Sequence, residues 1–398
     1  MATADFRFQN FQTFRNHGPA AFPAWRDRSQ DGRAELLLKF ADALQANQAE
    51  FAALLGAETG KPPQAVGIDL YLLDETILDT DERSITLRHA PLGVGVGIIP
   101  WNFPILLAAI KLSSALLTGN TFIWKPSPHS PNTALKVREL AARVFPPGVV
   151  NVLSGTEDLG PWLTAHPGIA KVSFTGSVAT GKKVMQACGA TLKRVTLELG
   201  GNDAAIVCED VDIADVVPKI ATMAFILTGQ VCFAIKRVYV HEKIYDAFLA
   251  ALAAFVQTLK TGGAGDAEAV LGPIQNSMQY GKLRELYAQV QRDGWKTATP
   301  PLNILSADIN GSGVFLEPAV VDIPPENSRL VQEEQFGPIL PVLKWTDEDD
   351  AGTVWTNTHF EVGPPVGFGG HKHSGLGVES GLDGLNGWCS PQAVWIKK

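Results

Sequence analysis

The residues of this chain that could do chemistry mostly sit beside glycine. Gly229-Gln230-Val231-Cys232 places a thiol just after a turn between two apolar runs. A nucleophilic cysteine needs thiolate character and access, and backbone N–H groups at such a turn can supply the electrostatics. Free cysteines are also commonly small, inert hydrophobes, so the thiol alone leaves both readings open. Glu198-Leu199-Gly200-Gly201 closes a strand-like run with a carboxylate. Ligands of open α/β sheets bind outside the carboxyl ends of strands, where a carboxylate can act as a general base. The other reading is a loop acid that caps the next element. Trp101-Asn102-Phe103-Pro104 sets one amide inside an apolar run. Its NH₂ can face a developing oxyanion, or the side chain can simply satisfy its own turn.

Two further motifs carry weaker signals. Gly176-Ser177-Val178-Ala179-Thr180-Gly181-Lys182 follows a short apolar strand and opens a helix. Backbone N–H groups beside the positive end of a helix dipole suit a phosphate. Lys183 stands where a phosphate-binding loop would carry a magnesium-binding Ser or Thr, so a plain strand–helix turn is the competing reading. His371-Lys372-His373 lacks an acidic or Cys partner and reads as a solvated loop, not a metal site. Cys188, Cys208 and Cys389 have no partner motif and read as structural.

The elements that must position these residues alternate between strand and helix. Helical periodicity runs from about Gly32 to Gly56, through Leu36, Leu37, Phe40, Leu44 and Phe51. Ser84 to Arg88 alternates like a half-exposed strand. Val94 to Ile99 and Thr121 to Trp124 read as buried strands, and Val149 to Leu153, Val172 to Phe174, Val195 to Leu199 and Ala204 to Val207 as further strands. Helices fall between them and near 211–227, 243–260 and 276–293. Strand and helix in alternation predict a parallel sheet with helices on both faces. From Gly352 the chain turns Gly-rich, with little periodicity.

Composition narrows the function classes. The 398 residues suggest more than one domain, and 45% hydrophobic against 19% charged supports a large core. A net charge of −8 offers no broad basic surface for a phosphate backbone, so nucleic acid is not expected as a partner. Pro91 to Ile110 is uncharged, but Gly93, Gly95, Gly97, Pro100 and Pro104 would break a spanning helix, so no membrane segment is expected. The first residues show no apolar targeting core. Four scattered cysteines make no disulfide framework or zinc knuckle, and a reducing, cytoplasmic compartment is the expectation.

Taken in order, Pro100–Pro104 (PWNFP), Lys125-Pro126-Ser127, Phe174-Thr175-Gly176-Ser177, Leu197–Gly201 (LELGG), Gly229–Cys232 (GQVC) and Glu333–Pro338 (EEQFGP) resemble the aldehyde dehydrogenase superfamily. The resemblance covers nearly the whole chain from about Ala20. It implies an α/β fold of the aldehyde-dehydrogenase kind: a Rossmann-type parallel-sheet cofactor domain (1–82 and 91–200), an α/β catalytic domain (201–387) and oligomerisation strands (83–90 and 388–398).

The same resemblance implies NAD(P)-dependent oxidation of an aldehyde to a carboxylic acid through a Cys232 thiohemiacetal and thioester. Asn102 and the Cys232 N–H would hold the oxyanion, Glu198 would activate water, and Lys111 matches a lysine that the family often keeps near the site. Cofactor contacts fall on Trp101, Lys125, Ser127, Gly176, Ser177, Leu199, Glu334 and Phe336. Pro128 stands where some NAD-preferring relatives carry an acid, which leaves NAD and NADP both open. A homo-dimer or homo-tetramer would form through strands near Ser84–Arg88 and Ala393–Ile396.

Several features depart from the family pattern. The strand pair before the first long helix is missing, and the chain between Gly60 and Arg83 is short for the helix that the family fits there. Trp345–Asp350 runs directly into Ala351–Trp355, where the family interposes a helix, a strand and a second helix. Such a loss would expose apolar faces and open a sheet edge. Leu227 also sits where the family commonly has Asn. The alternative function is therefore a catalytically impaired relative that binds a dinucleotide or a partner subunit, or one that keeps only the thiol chemistry as an esterase.

Overall fold

The sequence 94–98, Val-Gly-Val-Gly-Ile, is buried at every position and forms the centre of the first sheet. The structure is a computed structural model that describes residues 20–59, 75–156, 158–263, 266–300, 314–345 and 366–397. It divides into two compact units, one of 1–54, 63–199 and 362–398, the other of 55–62 and 200–361. The expected N-terminal loss and the expected excision near 350 lie outside the described residues.

In the first unit a small antiparallel sheet holds β1 (Glu75–Asp79), β2 (Arg83–Pro91) and, at the end of the chain, β14 (Cys389–Lys397). The main sheet contains β3 (Val94–Ile98), β4 (Thr121–Lys125), β5 (Val150–Val152), β6 (Lys171–Thr175) and β7 (Arg194–Glu198). These five are parallel, and the two-residue β13 (Gly375–Leu376) adds antiparallel to β7. The spatial order is β13-β7-β6-β3-β4-β5. From β3 the chain steps to β4 and β5 on one side, then crosses back to β6 and β7 on the other. That reversal makes the gap between β3 and β6 the topological switch point of the sheet.

Strands covered on both faces read as continuous apolar runs, which is why β3 and β4 are legible in the sequence, whereas β6 alternates Lys171, Ser173 and Thr175 with Val172 and Phe174, all buried. The helix Pro104–Leu117 has Pro at its start and buries Ala108, Leu112, Ala115 and Leu116. It packs into a core with Phe122, Trp124, Phe145 and Trp388. Glycine at 95 is set by packing: a Cβ there would run into the six-membered ring of Trp388.

The second unit begins with β8 (Asp203–Val207), followed by β9 (Ile235–His241), β10 (Lys296–Thr297), β11 (Ala319–Asp322) and β12 (Ile339–Trp345). The order is β10-β11-β12-β9-β8, parallel throughout except for β10. Alternate residues feed two cores. Val320, Leu340 and Val342 meet the helices Ile213–Phe225 and Tyr245–Val256, while Val321 and Ile339 meet Leu283, Leu286 and Tyr287 of the helix Ser277–Arg292.

Three sequence expectations change. The helix expected from Gly32 to Gly56 is two helices, Gln30–Ala46 and Gln48–Thr59, because Asn47 leaves helical geometry and its Nδ2 donates to the Ala43 carbonyl at 2.8 Å. β1 lies in a stretch without clear pattern. The tail expected to lack periodicity holds β13 and the helix Gly381–Asn386, while β14 lies where a strand at 388–398 is expected; β13 pairs with β7 of the first unit, although the sequence places 375–387 in the second domain. Among the described residues, no helix is long and apolar enough to cross a membrane.

Gly95→Ala must push against Trp388, and overpacking of this kind costs about 1–3 kcal/mol. A lower unfolding midpoint in thermal melts is expected, and an unchanged midpoint would contradict the packing described.

Candidate functional site

Register brings four strand ends of the first unit to one edge. Ile98 is opposite both Lys125 and Phe174, and Thr175 is opposite Glu198. The segments that continue from these ends carry Trp101 and Asn102, Lys125 and Ser127, Gly176 and Ser177, and Glu198 and Leu199, at the switch point where open α/β sheets bind ligands. Asn102 is buried, and its Oδ1 accepts the Phe103 N–H at 3.1 Å, which fixes the plane of the amide. Lys125 is buried at the last position of β4, and the Ser127 hydroxyl accepts the His129 N–H at 3.2 Å.

Ser177 caps the helix Val178–Gly189, its Oγ accepting the Thr180 N–H at 3.3 Å. Glycine at 181 makes room for Leu199, whose side chain occupies the place of a Cβ. The glycine spacing of this motif thus reflects helix–strand packing, and the phosphate-loop likeness ends there. The exposed helix start still presents N–H groups at the switch point. Lys125 ends β4, on the far side of β3 from β6, so a cation and this helix start flank the end of β3.

A buried polar cluster lies in the same unit. Lys111, 1% exposed, donates from Nζ to Glu379 Oε1, and the Ser173 hydroxyl donates to the same oxygen at 2.5 Å. Lys171 donates to Thr196 Oγ1 at 2.7 Å and to the Gly387 carbonyl at 2.8 Å, and burial pushes its pKa down to about 8. Glu198 is 8% exposed, and its Oε1 has no hydrogen-bond partner among the described residues. Burial first, then the negative charge of Glu379, raises the Glu198 carboxyl to about 8, with the Lys111 ammonium opposing. Glu198 is thereby set up to exchange a proton near neutrality.

In the second unit Cys232 is half-buried and forms no disulfide. The turn before it is strained: Leu227 has φ 50°, Thr228 φ 58° and Gly229 φ 72°. Non-glycine residues in this region cost about 1–2 kcal/mol each. Side chains hold the turn in place. Thr228 Oγ1 donates to the Gly272 carbonyl at 3.0 Å, and Gln230 Nε2 donates to the Leu227 carbonyl at 3.1 Å. Gln230 Oε1 in turn accepts the Gln275 N–H at 3.0 Å.

The Gly200-Gly201 turn lies against this region. A Cβ on Gly201 would stand 2.5 Å from the Cys232 carbonyl oxygen, and one on Gly200 would overlap the Glu334 carboxylate. Glu334 Oε1 accepts the Gly201 N–H at 3.2 Å. Burial raises the Glu334 pKa, while Lys236 and the Gly201 N–H pull it down. Gln279 Nε2 donates to the carbonyls of Gln335 (3.1 Å) and Phe336 (2.9 Å), which steadies the loop carrying Glu334 and Phe336.

The structure therefore gathers Asn102, Lys111, Lys125, Ser127, Ser177, Glu198 and Leu199 within the first unit, and Cys232, Glu334 and Phe336 within the second. Sequence reasoning missed Glu379, Ser173, Lys171 and Lys236. Lys171 opens β6 next to Val172 and Lys236 follows Ile235 in β9, and a lysine at the start of a strand is a signal that could have found them. Glu379 gave none, because its partner Lys111 lies 268 residues away. Among the described residues no group of three or more His, Cys, Asp or Glu could hold a metal ion, which applies to His371 and His373 as well.

Comparison with known proteins agrees with the sequence resemblance. A family model described as "Aldehyde dehydrogenase family" matches residues 9–351. The chain is similar to the putative aldehyde dehydrogenase FUS7 of Gibberella fujikuroi, 37% identical over 422 residues, covering 95% of this chain and 89% of the relative. That alignment is longer than the 398 residues of this chain, so the relative carries segments that this chain lacks. Among solved structures, an NADP-dependent enzyme of E. coli superposes with a TM-score of 0.89 at 27% identity, covering 98% of this chain and 91% of that one. PnpE in complex with nicotinamide adenine dinucleotide gives 0.88 at 29% identity, covering 95% and 88%.

Two outcomes follow from this geometry. Asn tolerates left-handed backbone better than Leu, so Leu227→Asn should stabilise the fold by about 1 kcal/mol or less and raise the unfolding midpoint; a lower midpoint would contradict the strain. Glu198 binds its proton more tightly folded than unfolded, so between about 4.5 and about 8 the folded state holds more protons and stability falls as pH rises. Thermal melts across pH should show Glu198→Gln gaining on the parent through that window and levelling above it. A constant difference would contradict the raised carboxyl.

Proposed function

Because the chain belongs to the aldehyde dehydrogenase family, we propose that it oxidises an aldehyde to the carboxylic acid through a covalent intermediate on Cys232. The observation that carries this reading is the Cys232 turn itself, a half-buried thiol on a backbone held out of its relaxed conformation and packed against the Gly201–Glu334 loops. Stored backbone strain persists where the surroundings over-determine it, and such places cluster at active sites.

The thiolate of Cys232 attacks the carbonyl carbon, and the oxygen becomes an oxyanion. The Cys232 N–H and the Asn102 amide donate to it, each such donor being worth about 10²–10³ in kcat. The cofactor is NAD or NADP; when bound, its nicotinamide ring takes up the hydride lost by the aldehyde carbon. Lys125, Ser127, Ser177 and the start of the helix Val178–Gly189 hold the dinucleotide on the first unit, joined by Trp101, Gly176 and Leu199. Glu334 and Phe336 support the ribose and nicotinamide side from the second. Glu198 then takes a proton from water, whose oxygen attacks the thioester and releases the acid and the Cys232 thiol. Lys111 keeps Glu379 charge-compensated beside that base.

Residues 1–82 and 91–200 serve as the cofactor domain in this reading, and the second unit, through 200–361, supplies the nucleophile. We further assign 83–90 and 388–398 to pairing between copies in a homo-dimer or homo-tetramer. Ile77, Trp395 and Ile396 of the small sheet are exposed, Trp395 at 66%, with Trp395 and Ile396 on opposite faces, which suits an element that another copy covers. Buried thiols at Cys188 and Cys389 suit a reducing cytoplasmic setting.

The test is production of reduced nicotinamide, followed by absorbance with NAD and NADP separately across a panel of aldehydes. Turnover is expected in the parent and none in Cys232→Ala, with Asn102→Ala lowering kcat by about 10²–10³. Because Glu198 must lose its proton to act, kcat should rise with pH toward a plateau above about 8, and Glu198→Gln should abolish that rise. A cooperatively folded parent with no turnover would leave the non-catalytic, dinucleotide-binding relative as the correct reading.

A further inference from the structure

Lys236 is the second residue of β9, a central strand, and is 3% exposed. An ammonium in such a place costs several kcal/mol unless it is compensated. Its Nζ donates to the Val231 carbonyl, and to the Ala234 carbonyl at 3.4 Å, so it closes a ring around Cys232. The charged groups facing it are Glu334 from the loop before β12, Cys232 from its own turn, Asp203 from β8 and Lys282 from the helix Ser277–Arg292. The Phe336 ring centre stands 5.8 Å from Nζ. Burial pulls the lysine pKa down, and Glu334, Cys232 and Asp203 oppose that pull.

The Val231 carbonyl belongs to the same peptide unit as the Cys232 N–H. A peptide unit is planar, with its C=O and N–H fixed relative to one another. A cation on the oxygen therefore sets the direction of that N–H, and it polarises the unit so that the N–H donates more strongly. The ammonium form of Lys236 also interacts electrostatically with Cys232, and a nearby lysine favours thiolate.

We propose that Lys236 is a positioning residue for the nucleophile: its ammonium grips the Val231–Cys232 peptide, aims and strengthens the Cys232 N–H, and holds positive charge against the thiolate. The inference rests on the assignment of Cys232 as the nucleophile. Glu334 is the counter-charge, so one lysine ties the thiol turn to the loop that carries Glu334 and Phe336.

The experiment is alkylation of Cys232 by iodoacetamide as a function of pH, read by peptide mass with the exposed Cys208 as reference thiol in the same chain. It is run on the parent, on Lys236→Met and on Lys236→Gln, which keeps a donor without the charge. Cys232 of the parent should react with a lower pH midpoint than Cys208. Both variants should raise that midpoint by about one unit, slowing Cys232 about tenfold relative to Cys208 at neutral pH. Variants that melt earlier yet keep the parent midpoint and ratio would reduce Lys236 to a structural residue and overturn the proposal. If neither variant folds, the parent decides: a Cys232 midpoint below that of Cys208 supports the proposal, and one at or above it overturns it. No aldehyde or dinucleotide enters the assay, so absence of turnover and absence of thiol activation are separately visible.

Discussion

A charged group taken out of water costs several kcal/mol unless an opposite charge and well-placed hydrogen bonds go with it, and each unit of this protein meets that constraint beside its reactive group. In the first unit Lys111 enters from the helix Pro104–Leu117 and is neutralised by Glu379, which Ser173 also holds. Burial, and then the Glu379 carboxylate against the opposing Lys111 ammonium, lifts Glu198 into the range where it can exchange protons near neutrality. In the second unit Lys236 is compensated electrostatically by Glu334 and sits on the peptide that carries the Cys232 N–H. Removing either lysine would leave a buried carboxylate without its compensating charge and would change the chemistry of its neighbour.

Close backbone approach is the second requirement, because buried carboxylates and the turn at Cys232 leave no room for Cβ atoms. Gly200 and Gly201 let the end of the LELGG run lie against Glu334 and Cys232. Leu227 and Thr228 accept left-handed backbone in the approach to Cys232, and Gln230 fixes the result by bonding to flanking segments. Membership of the aldehyde dehydrogenase family explains why these features occur together, and the physical account explains what each contributes.

Much of this organisation is legible in the amino-acid sequence. β3 and β4 are apolar runs because both faces are covered, and the residues at and after their ends are among those that the sequence motifs single out. Cys232, Glu198 and Asn102 each stand out as a polar group at a glycine turn or within an apolar run. What cannot be read there depends on contacts across long separations. Glu379 lies in a tail without periodicity, and its role comes from Lys111 and Ser173, both more than 200 residues away along the chain. The Gly176–Lys182 motif is ambiguous because sequence shows the glycines but not Leu199 packed on Gly181. The single-helix expectation through Asn47 fails because periodicity does not register a side chain that turns back onto its own backbone.

The central claim is that Cys232 carries the acyl group. Its most direct test is to incubate Glu198→Gln with an aldehyde and NAD or NADP, quench in acid, and weigh the peptide containing residue 232. The account predicts a mass increase equal to the aldehyde less two hydrogens, confined to Cys232 and dependent on the cofactor. A folded sample with the peptide unmodified, or with the adduct on Cys188, Cys208 or Cys389, would contradict it.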